Sequence, residues 1–291
     1  SARILTECRY PDMSNLDVNG INASLNAYRK DSLDDLEKAL PEPCIAEAFR
    51  IKYDCANAKV MVKASAANVD GEHLISACGR VAPEVLMEAF NSGDLSVLPA
   101  DLAEAMEQAR GILGRTGNPQ LSDVSLDKAY YARLLQLGEE ESSGFLLNYA
   151  KTLIDSANLR ILVRVRRMGK DLSFFQSVCI PGGTVTEDRL LQAFESGEIS
   201  HAFGDTVFAS AAQEAEQLEP GEALTKFELK CDNAVTEMLT EAKRISFGAG
   251  PVIAYLAAQE QEISSVRMIL TGKLSGIATE KIRERLRESY A

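Results

Sequence analysis

The sequence has no tryptophan and only two histidines, His73 and His201, among its 291 residues. It contains no His-Glu-x-x-His motif and no closely spaced cysteine pair, so a zinc site has few candidate ligands. A Walker-type GxxxxGK[ST] loop is also absent. The nearest glycine-rich segment, Gly248-Ala249-Gly250, precedes a predicted helix without a preceding strand, and we interpret it as a turn or a helix cap. We therefore expect no metal and no cofactor.

Positive charge and long apolar runs are also scarce. Lysine and arginine number 31 against 43 acids, and the net charge of −12 argues against general nucleic-acid binding. No run approaches the roughly 18–20 apolar residues of a membrane span, and the first residues lack a signal-peptide core. The six cysteines are too few and too scattered to predict a disulfide framework, which favours a cytoplasmic protein. They are Cys8, Cys44, Cys55, Cys78, Cys179 and Cys231.

Helical periodicity dominates the chain, and strand-like alternation is rare. Apolar residues recur at intervals of three and four over 145–168, which predicts a long amphipathic helix that ends near Gly169. Ser125, Thr184 and Thr186 are candidate helix caps. The sequence thus predicts one all-α domain over 1–291. Further helices are predicted over 43–66, 83–92, 99–114, 125–138, 187–196, 207–217, 225–245, 250–271 and 279–289.

A weak internal repeat of about 100 residues occurs three times. Each copy places an acid five positions before a basic residue: Asp54 with Lys59, Asp155 with Arg160, and Glu262 with Arg267. The first two copies also share an asparagine, Asn57 or Asn158, and similar segments at 86–93 and 191–197. A repeat this long favours a few large units around an axis over an open solenoid. We predict pseudo-repeats over approximately 1–95, 96–200 and 201–291, arranged as a funnel with pseudo-threefold symmetry.

Helix geometry separates the polar residues of the motif onto two faces. Asp155 and Asn158 lie on one face of the predicted helix, while Arg160 and Arg164 lie on roughly the opposite face. One hypothesis is that the acid of each unit bonds a basic or amide group near the next unit and fixes the register of the bundles. The alternative is that these groups form partly solvated surfaces of little energetic weight.

Charge is distributed unevenly, which is typical of selective docking on charged protein surfaces. Residues 160–170 carry five basic residues and no acid, whereas residues 195–222 carry seven acids and no lysine or arginine. The last predicted helix alternates acids with bases, so it is also consistent with a solvent-facing helix. The candidate partner-binding residues are Arg160, Arg164, Arg166, Arg167, Arg283, Arg285 and Arg287.

One acidic cluster leaves an enzymatic alternative open. Asp31-x-x-Asp34-Asp35 is similar to the metal-binding carboxylates of all-helical enzymes that act on isoprenoid diphosphates. No second cluster of that kind is evident, and we interpret these acids as the first turn of a helix. A free-standing helical scaffold is a third possibility.

The strongest family signal lies in the last part of the chain. Residues 247–256 read FGAGPVIAYL, residues 260–270 read EQEISSVRMIL, residues 272–277 read GKLSGI, and residues 282–290 read IRERLRESY. This series resembles the closing pattern of the C subunit of the rotary V/A-type ATPases and ATP synthases, whose eukaryotic vacuolar homologue is the d subunit. Residues 125–131, the Asp155 motif and the Asp54 motif also fit, so the resemblance spans roughly 43–290. Residues 1–42 depart from it, which predicts a trimmed or shortened N-terminal part.

The resemblance implies an all-helical, non-catalytic funnel in the central stalk of a rotary ATPase. Its implied partners are the central-shaft subunits and the membrane proteolipid ring, with torque passing through this chain between ATP turnover and H⁺ or Na⁺ transport. The implied location is the cytoplasmic side of a membrane-bound complex. The choice of ion and the direction of ATP turnover are set by other subunits.

Overall fold

α-Helix is the main regular structure of the chain. The computed structural model describes residues 5, 10–13, 15–40 and 43–290, and within these ranges it contains no strand, which confirms the all-α prediction. Thirteen α-helices have both ends in the described part. They are α1 Val18–Ala39, α2 Pro43–Ala67, α3 Pro83–Ser92, α4 Ala100–Thr116, α5 Pro119–Glu140, α6 Gly144–Arg167, α7 Leu172–Val178, α8 Glu187–Ser196, α9 Ile199–Phe203, α10 Ala209–Glu216, α11 Thr225–Leu239, α12 Ala249–Leu274 and α13 Thr279–Arg283.

Three helices, α2, α6 and α12, are the longest, with 25, 24 and 26 residues. At 1.5 Å per residue each is about 36–39 Å long. Helix α6 begins where the Ser143 hydroxyl accepts a hydrogen bond from the Leu146 amide, and it is followed by Gly169 with a φ of 62°. Gly248 caps α12 with a φ of 93°, as the sequence predicted.

The N-terminal halves of the long helices meet in one apolar cluster, which we call the central core. Its buried members include Phe49 of α2, Ala150 of α6 and Ile253 of α12. The C-terminal parts of α5 and α11 complete it with Leu137 and Leu239. The central core therefore joins the N-terminal halves of all three long helices.

The C-terminal halves of the same helices lie in three separate apolar clusters. Met61 of α2 packs with α3, α4 and α5. Leu162 of α6 packs with the helices between 172 and 239, and Ile263 of α12 packs with α1 through Leu25. Because separate cores need separate space, the long helices converge at their N-terminal ends and diverge toward their C-terminal ends.

Each long helix also has one long partner helix. Lys59 of α2 pairs with Asp127 of α5, and Arg160 of α6 pairs with Glu228 of α11. Arg29 of α1 pairs with Glu260 of α12, so α1 is the partner of the last long helix.

The structure corrects the sequence analysis over 18–39. The only helical feature expected there was a first turn at Asp31–Asp35, yet α1 begins at Val18 and has 22 residues. The interpretation of Asp31, Asp34 and Asp35 as a first helical turn is wrong, because they lie toward the C-terminal end of α1. The Asp34 carboxylate instead pairs with Lys30 at 2.5 Å and with Arg50 at 2.6 Å, which offsets its unfavourable position in the helix dipole.

Three other helix boundaries differ from the sequence expectations by six residues, and the first is the end of α11, which lies at Leu239 and not at 245. Ser125 is not a cap, because α5 begins six residues earlier, where the Asn118 side chain accepts from the Gln120 amide. The predicted helix over 279–289 is shorter in the structure and ends at Arg283. The Thr186 cap is confirmed. Within the described residues, no helix combines the length and apolar composition that a membrane span requires.

Candidate functional site

The first repeat motif holds a loop against α2. Asp54 is buried, and its Oδ1 accepts from the Arg80 amide at 2.9 Å while its Oδ2 accepts from Arg80 Nε at 2.6 Å. Arg80 also contacts Glu47 and Asp101, so this loop carries a network of charges. We call the contact between Asp54 and the loop the first clamp.

The second repeat motif repeats this arrangement on α6. Asp155 is buried, and its two carboxylate oxygens accept from the amides of Thr184 and Val185, each at 3.1 Å. Burial raises the pKa of Asp155, and these hydrogen bonds offset the rise only in part. This contact is the second clamp.

Both clamps require glycine in the loop. A Cβ built on Gly79 would overlap Oδ1 of Asp54, and a Cβ built on Gly183 would overlap Oδ1 of Asp155. The carboxylate therefore lies directly against the backbone, which only glycine permits. The two glycines are 104 residues apart, the same offset that relates Gly93 to Gly197 at the ends of the two similar segments.

An asparagine one turn farther along each helix secures the same loop. Asn57 donates to the Ser76 carbonyl and accepts from its amide, both at 2.8 Å. Asn158 makes the same reciprocal pair with Ile180, at 2.8 and 2.9 Å. Each side chain thus satisfies both polar groups of one loop residue.

The basic residue of each motif points to a different neighbour, as the two-face geometry predicted. Lys59 binds Asp127 at 2.6 Å, and Arg160 binds Glu228 at 2.5 Å and Asp232 at 2.7 Å. Asp127 and Glu228 are 101 residues apart, so the acidic partners of the two basic residues follow the same repeat. The hypothesis that the acids link one unit to the next is wrong, because both aspartates bind the loop that follows their own helix.

The third copy of the motif has no clamp of this kind. Glu262 and Arg267 are exposed, and neither side chain makes an ion pair within the described part of the chain. The acid of α12 that is held by ion pairs is Glu260, two residues earlier, whose side chain is 17% exposed. It accepts from Arg29 Nε at 2.8 Å, from Lys52 Nζ at 2.5 Å and from the Tyr53 hydroxyl at 2.8 Å.

The electrostatics of Glu260 differ from those of Asp155. Burial acts to raise the pKa of Glu260, but the charges of Lys52 and Arg29 outweigh it and hold the pKa below its usual value. Glu260 connects α12 to both α1 and α2, whereas each clamp joins a helix to the loop that follows it.

A cavity of about 200 Å³ lies where the three long helices begin. It is lined by Ile45 of α2, Ser143 and Leu146 at the start of α6, and Ala249 of α12. Residues from all three helix starts thus surround one small space, so these starts lie side by side.

Comparison with known proteins identifies the family. A family model described as "ATP synthase (C/AC39) subunit" matches residues 2–285. The chain belongs to the ATP synthase (C/AC39) subunit family. Among its relatives is the C subunit of the V-type sodium ATPase of Enterococcus hirae, which is 25% identical over 270 residues that cover 92% of this chain and 82% of the relative.

Archaeal members of the ATP synthase (C/AC39) subunit family are also similar to this chain. The C subunit of the A-type ATP synthase of Thermococcus gammatolerans is 26% identical over 88% of this chain and 72% of the relative. Its counterpart in Pyrococcus horikoshii is 22% identical over 96% and 78%. The matches cover most of both proteins in each case.

The basic residues predicted to bind partners occupy different environments in this member of the family. Arg160 and Arg287 are only partly exposed, and each binds a different carboxylate oxygen of Asp232. Arg166 and Arg167 are exposed but donate to the backbone carbonyls of Ala193 and Glu222. The remaining three, Arg164, Arg283 and Arg285, are exposed, although Arg164 also binds Glu228.

The described residues offer no site for a catalytic metal. They contain no group of three or more histidine, cysteine, aspartate or glutamate side chains arranged to hold an ion. Five cysteines are buried thiols, and Cys8 lies outside the described residues. Family membership disfavours the isoprenoid-diphosphate alternative, because the family is that of a rotary ATPase component.

Proposed function

We propose that this chain is the non-catalytic component that joins the rotating shaft of a V/A-type ATPase to the membrane proteolipid ring. ATP is made or hydrolysed on other subunits, and this chain passes rotation between them and ion transport. The family match and the relatives named as C subunits of a V-type sodium ATPase or an A-type ATP synthase support this function. We place the chain in a membrane-bound complex, at its cytoplasmic face.

The observation that carries the proposal is the division of the apolar interior. One central core joins the starts of three long helices, and three outer clusters hold their far halves apart. Helices packed in this way resist bending, because each is fixed in two cores. A body that transmits torque between two partners needs this stiffness.

We further propose that three related units build this body around one axis. The clamps and the Lys59 and Arg160 pairs relate the first two units by about 101–104 residues. The contacts favour units over 43–140 and 144–244, with 249–290 and 15–40 together forming the third. Each unit then contains one of the three long helices in an equivalent position.

The test is assembly with the shaft. The purified chain, mixed with the shaft subunits of its own organism, is expected to elute with them as one complex in size-exclusion chromatography. The same mixture is prepared with the purified proteolipid ring. If the unaltered chain co-elutes with neither the shaft nor the ring, the proposed function is contradicted.

A second arm tests the basic contacts separately. Charge reversal of the three exposed arginines, R164E, R283E and R285E together, is expected to weaken co-elution, and added salt is expected to enlarge the difference. Arg115→Glu, an exposed substitution on α4, is the control. If the triple variant assembles like the control, the placement of the contacts is wrong while the function stands.

A further inference from the structure

The segment after α13 lies across two other helices without being helical itself. Past Arg283 the chain runs through 284–290, where Arg287 Nε binds Asp232 Oδ2 of α11 at 2.6 Å. The Glu288 amide donates to Asn233 Oδ1 at 3.0 Å. Side chains of α11 therefore attach this segment, which we call the strap, to the rest of the protein.

The end of the strap reaches the central core. The ring of Tyr290 packs against this core and lies 4.9 Å from Lys243 Nζ. Leu286, Arg287 and Tyr290 are partly buried, whereas Arg285 and Glu288 are exposed. The strap thus presents one side to the protein and the other to solvent.

Space remains beneath the strap. A cavity of about 390 Å³ lies between α1, α12 and the strap, and Tyr28, Tyr255 and Leu286 line it. Well-packed interiors leave few voids larger than a water molecule, so the strap covers this groove without filling it.

Release of the strap leaves no buried charge without a partner. Asp232 keeps its second ion pair with Arg160, and Lys243 is exposed to water. Removing a partner from a buried charge is costly only when that charge is then left alone. The base of the strap differs, since Ile282 of α13 is buried against Gly272 of α12.

We propose that residues 284–290 form a strap that detaches from α11 and α12 as a unit, while α13 stays docked, and that its detachment opens the groove beneath it. The groove is partly open to solvent in the closed protein, where Tyr255 is 53% exposed, and detachment removes the wall that Leu286 and Tyr290 form. This device goes beyond the proposed function and does not depend on it, because the isolated chain is sufficient to show it.

Hydrogen exchange of single amides tests the proposal in the full chain. The Glu288 amide reports the strap, and the Ile282 amide, bonded to the Ala278 carbonyl at 3.1 Å, reports α13. Arg287→Glu is expected to speed exchange at Glu288 about tenfold, as the loss of one charged hydrogen bond implies, and to leave Ile282 unchanged. The matched control is Arg285→Glu, an exposed charge reversal two residues away, which is expected to change neither amide by more than about twofold.

Three outcomes would contradict the proposal that the strap detaches while α13 stays docked. They are equal acceleration in both variants, no acceleration in Arg287→Glu, and joint acceleration of Glu288 and Ile282, which would mean that the whole segment unfolds. Salt gives an independent test that does not rely on a variant. Raising NaCl to about 1 M is expected to accelerate Glu288 exchange in the unaltered protein, and unchanged exchange would contradict an attachment based on the ion pair.

Dye binding tests separately whether the groove opens. The apolar dye 8-anilinonaphthalene-1-sulfonate is expected to bind the Arg287→Glu variant more strongly than the Arg285→Glu control, because removal of Leu286 and Tyr290 widens the groove that Tyr28 lines. Faster Glu288 exchange with no additional dye binding would show that the strap moves without opening the groove, which would overturn that part of the proposal.

Discussion

The first and second clamps achieve the same geometry with different chemistry. In both, a buried aspartate presses against a glycine, and an asparagine one turn later binds both backbone groups of a loop residue. Asp54 is also neutralised by the Arg80 guanidinium, whereas Asp155 relies on backbone amides. The shared features are those that touch the backbone, so loop position is what the repeat preserves.

The third long helix, α12, differs from the other two. Its partly buried acid, Glu260, lies among Arg29, Lys52 and Tyr53 from two other helices. The clamp carboxylate of Asp155 is hydrogen-bonded by backbone amides, whereas the Glu260 carboxylate, which joins separate helices, is paired with two cations. We therefore expect charge to matter most at Glu260 and steric fit to matter most in the two clamps.

The largest effect is expected for Glu260→Gln. Removing this carboxylate leaves Arg29 and Lys52 without their shared partner, and we expect a loss of about 3–4 kcal/mol in the free energy of unfolding at pH 7. Urea denaturation measures it. Glu262→Gln, at an exposed position on the same helix, is the control and is expected to change stability by less than about 0.5 kcal/mol.

The pH dependence of this difference sharpens the comparison. The pKa of Glu260 is lowered in the folded protein, so its contribution is present above the ordinary glutamate value of 4.5 and is lost as pH falls through the lowered value. The stability gap between the unaltered protein and Glu260→Gln is thus expected to narrow at about pH 3.5. A gap that widens on acidification would mean that the pKa is raised instead.

Next in size are Gly79→Ala and Gly183→Ala, which test whether the two clamps are alike. Each new methyl group overlaps the clamp carboxylate, and we expect each to cost about 2–3 kcal/mol in urea denaturation. Gly114→Ala is the control, because its Cβ meets nothing within 4 Å and alanine favours α4. A large loss in only one clamp would break the equivalence.

The asparagines are expected to differ modestly. Asn158→Ala leaves the buried backbone groups of Ile180 without partners, for which we expect a loss of about 2 kcal/mol. Asn57→Ala removes the partners of the Ser76 backbone groups, which are less buried, and is expected to cost about 1 kcal/mol in the free energy of unfolding. Thermal unfolding of both variants checks the order, and the reverse order would contradict the role assigned to burial.

The smallest effects are expected at the basic members of the motifs. Lys59→Gln removes one ion pair to Asp127 and is expected to cost about 0.5 kcal/mol, while Arg160→Gln, with two acidic partners, is expected to cost about 1 kcal/mol. Chemical denaturation with urea at low and high salt measures both, and both losses are expected to shrink in salt. Losses that salt leaves unchanged would point to packing by the side-chain stems.

The helical class and most helix positions follow from local periodicity, because apolar spacing and caps act within a few residues. The repeat also predicted which aspartates and asparagines matter. It did not reveal Gly79 and Gly183, the loop glycines against which the two carboxylates pack, although their spacing of 104 residues was a usable signal. Glu260 was missed for another reason: its partners are more than 200 residues away in sequence, and Glu262 fits the local pattern better.

The N-terminal helix shows the same limit. Residues 18–39 are rich in polar side chains, and only Ile21, Leu25 and Leu33 are buried there. Val18, Ile21, Leu25 and Tyr28 do recur at intervals of three and four, which was a usable signal, but apolar residues are few and the helix depends strongly on its contacts with α12 and α2. Long-range packing decides what local rules leave open.

Distances between the ends of the three long helices test the central claim most directly. One set of variants carries spin labels at the starts of α2, α6 and α12, and another set carries them at the ends. Pulsed electron-electron double resonance then measures three pairwise distances in each set. The account predicts that all three distances are longer between the ends than between the starts. Equal distances in the two sets, or starts farther apart than ends, would contradict it.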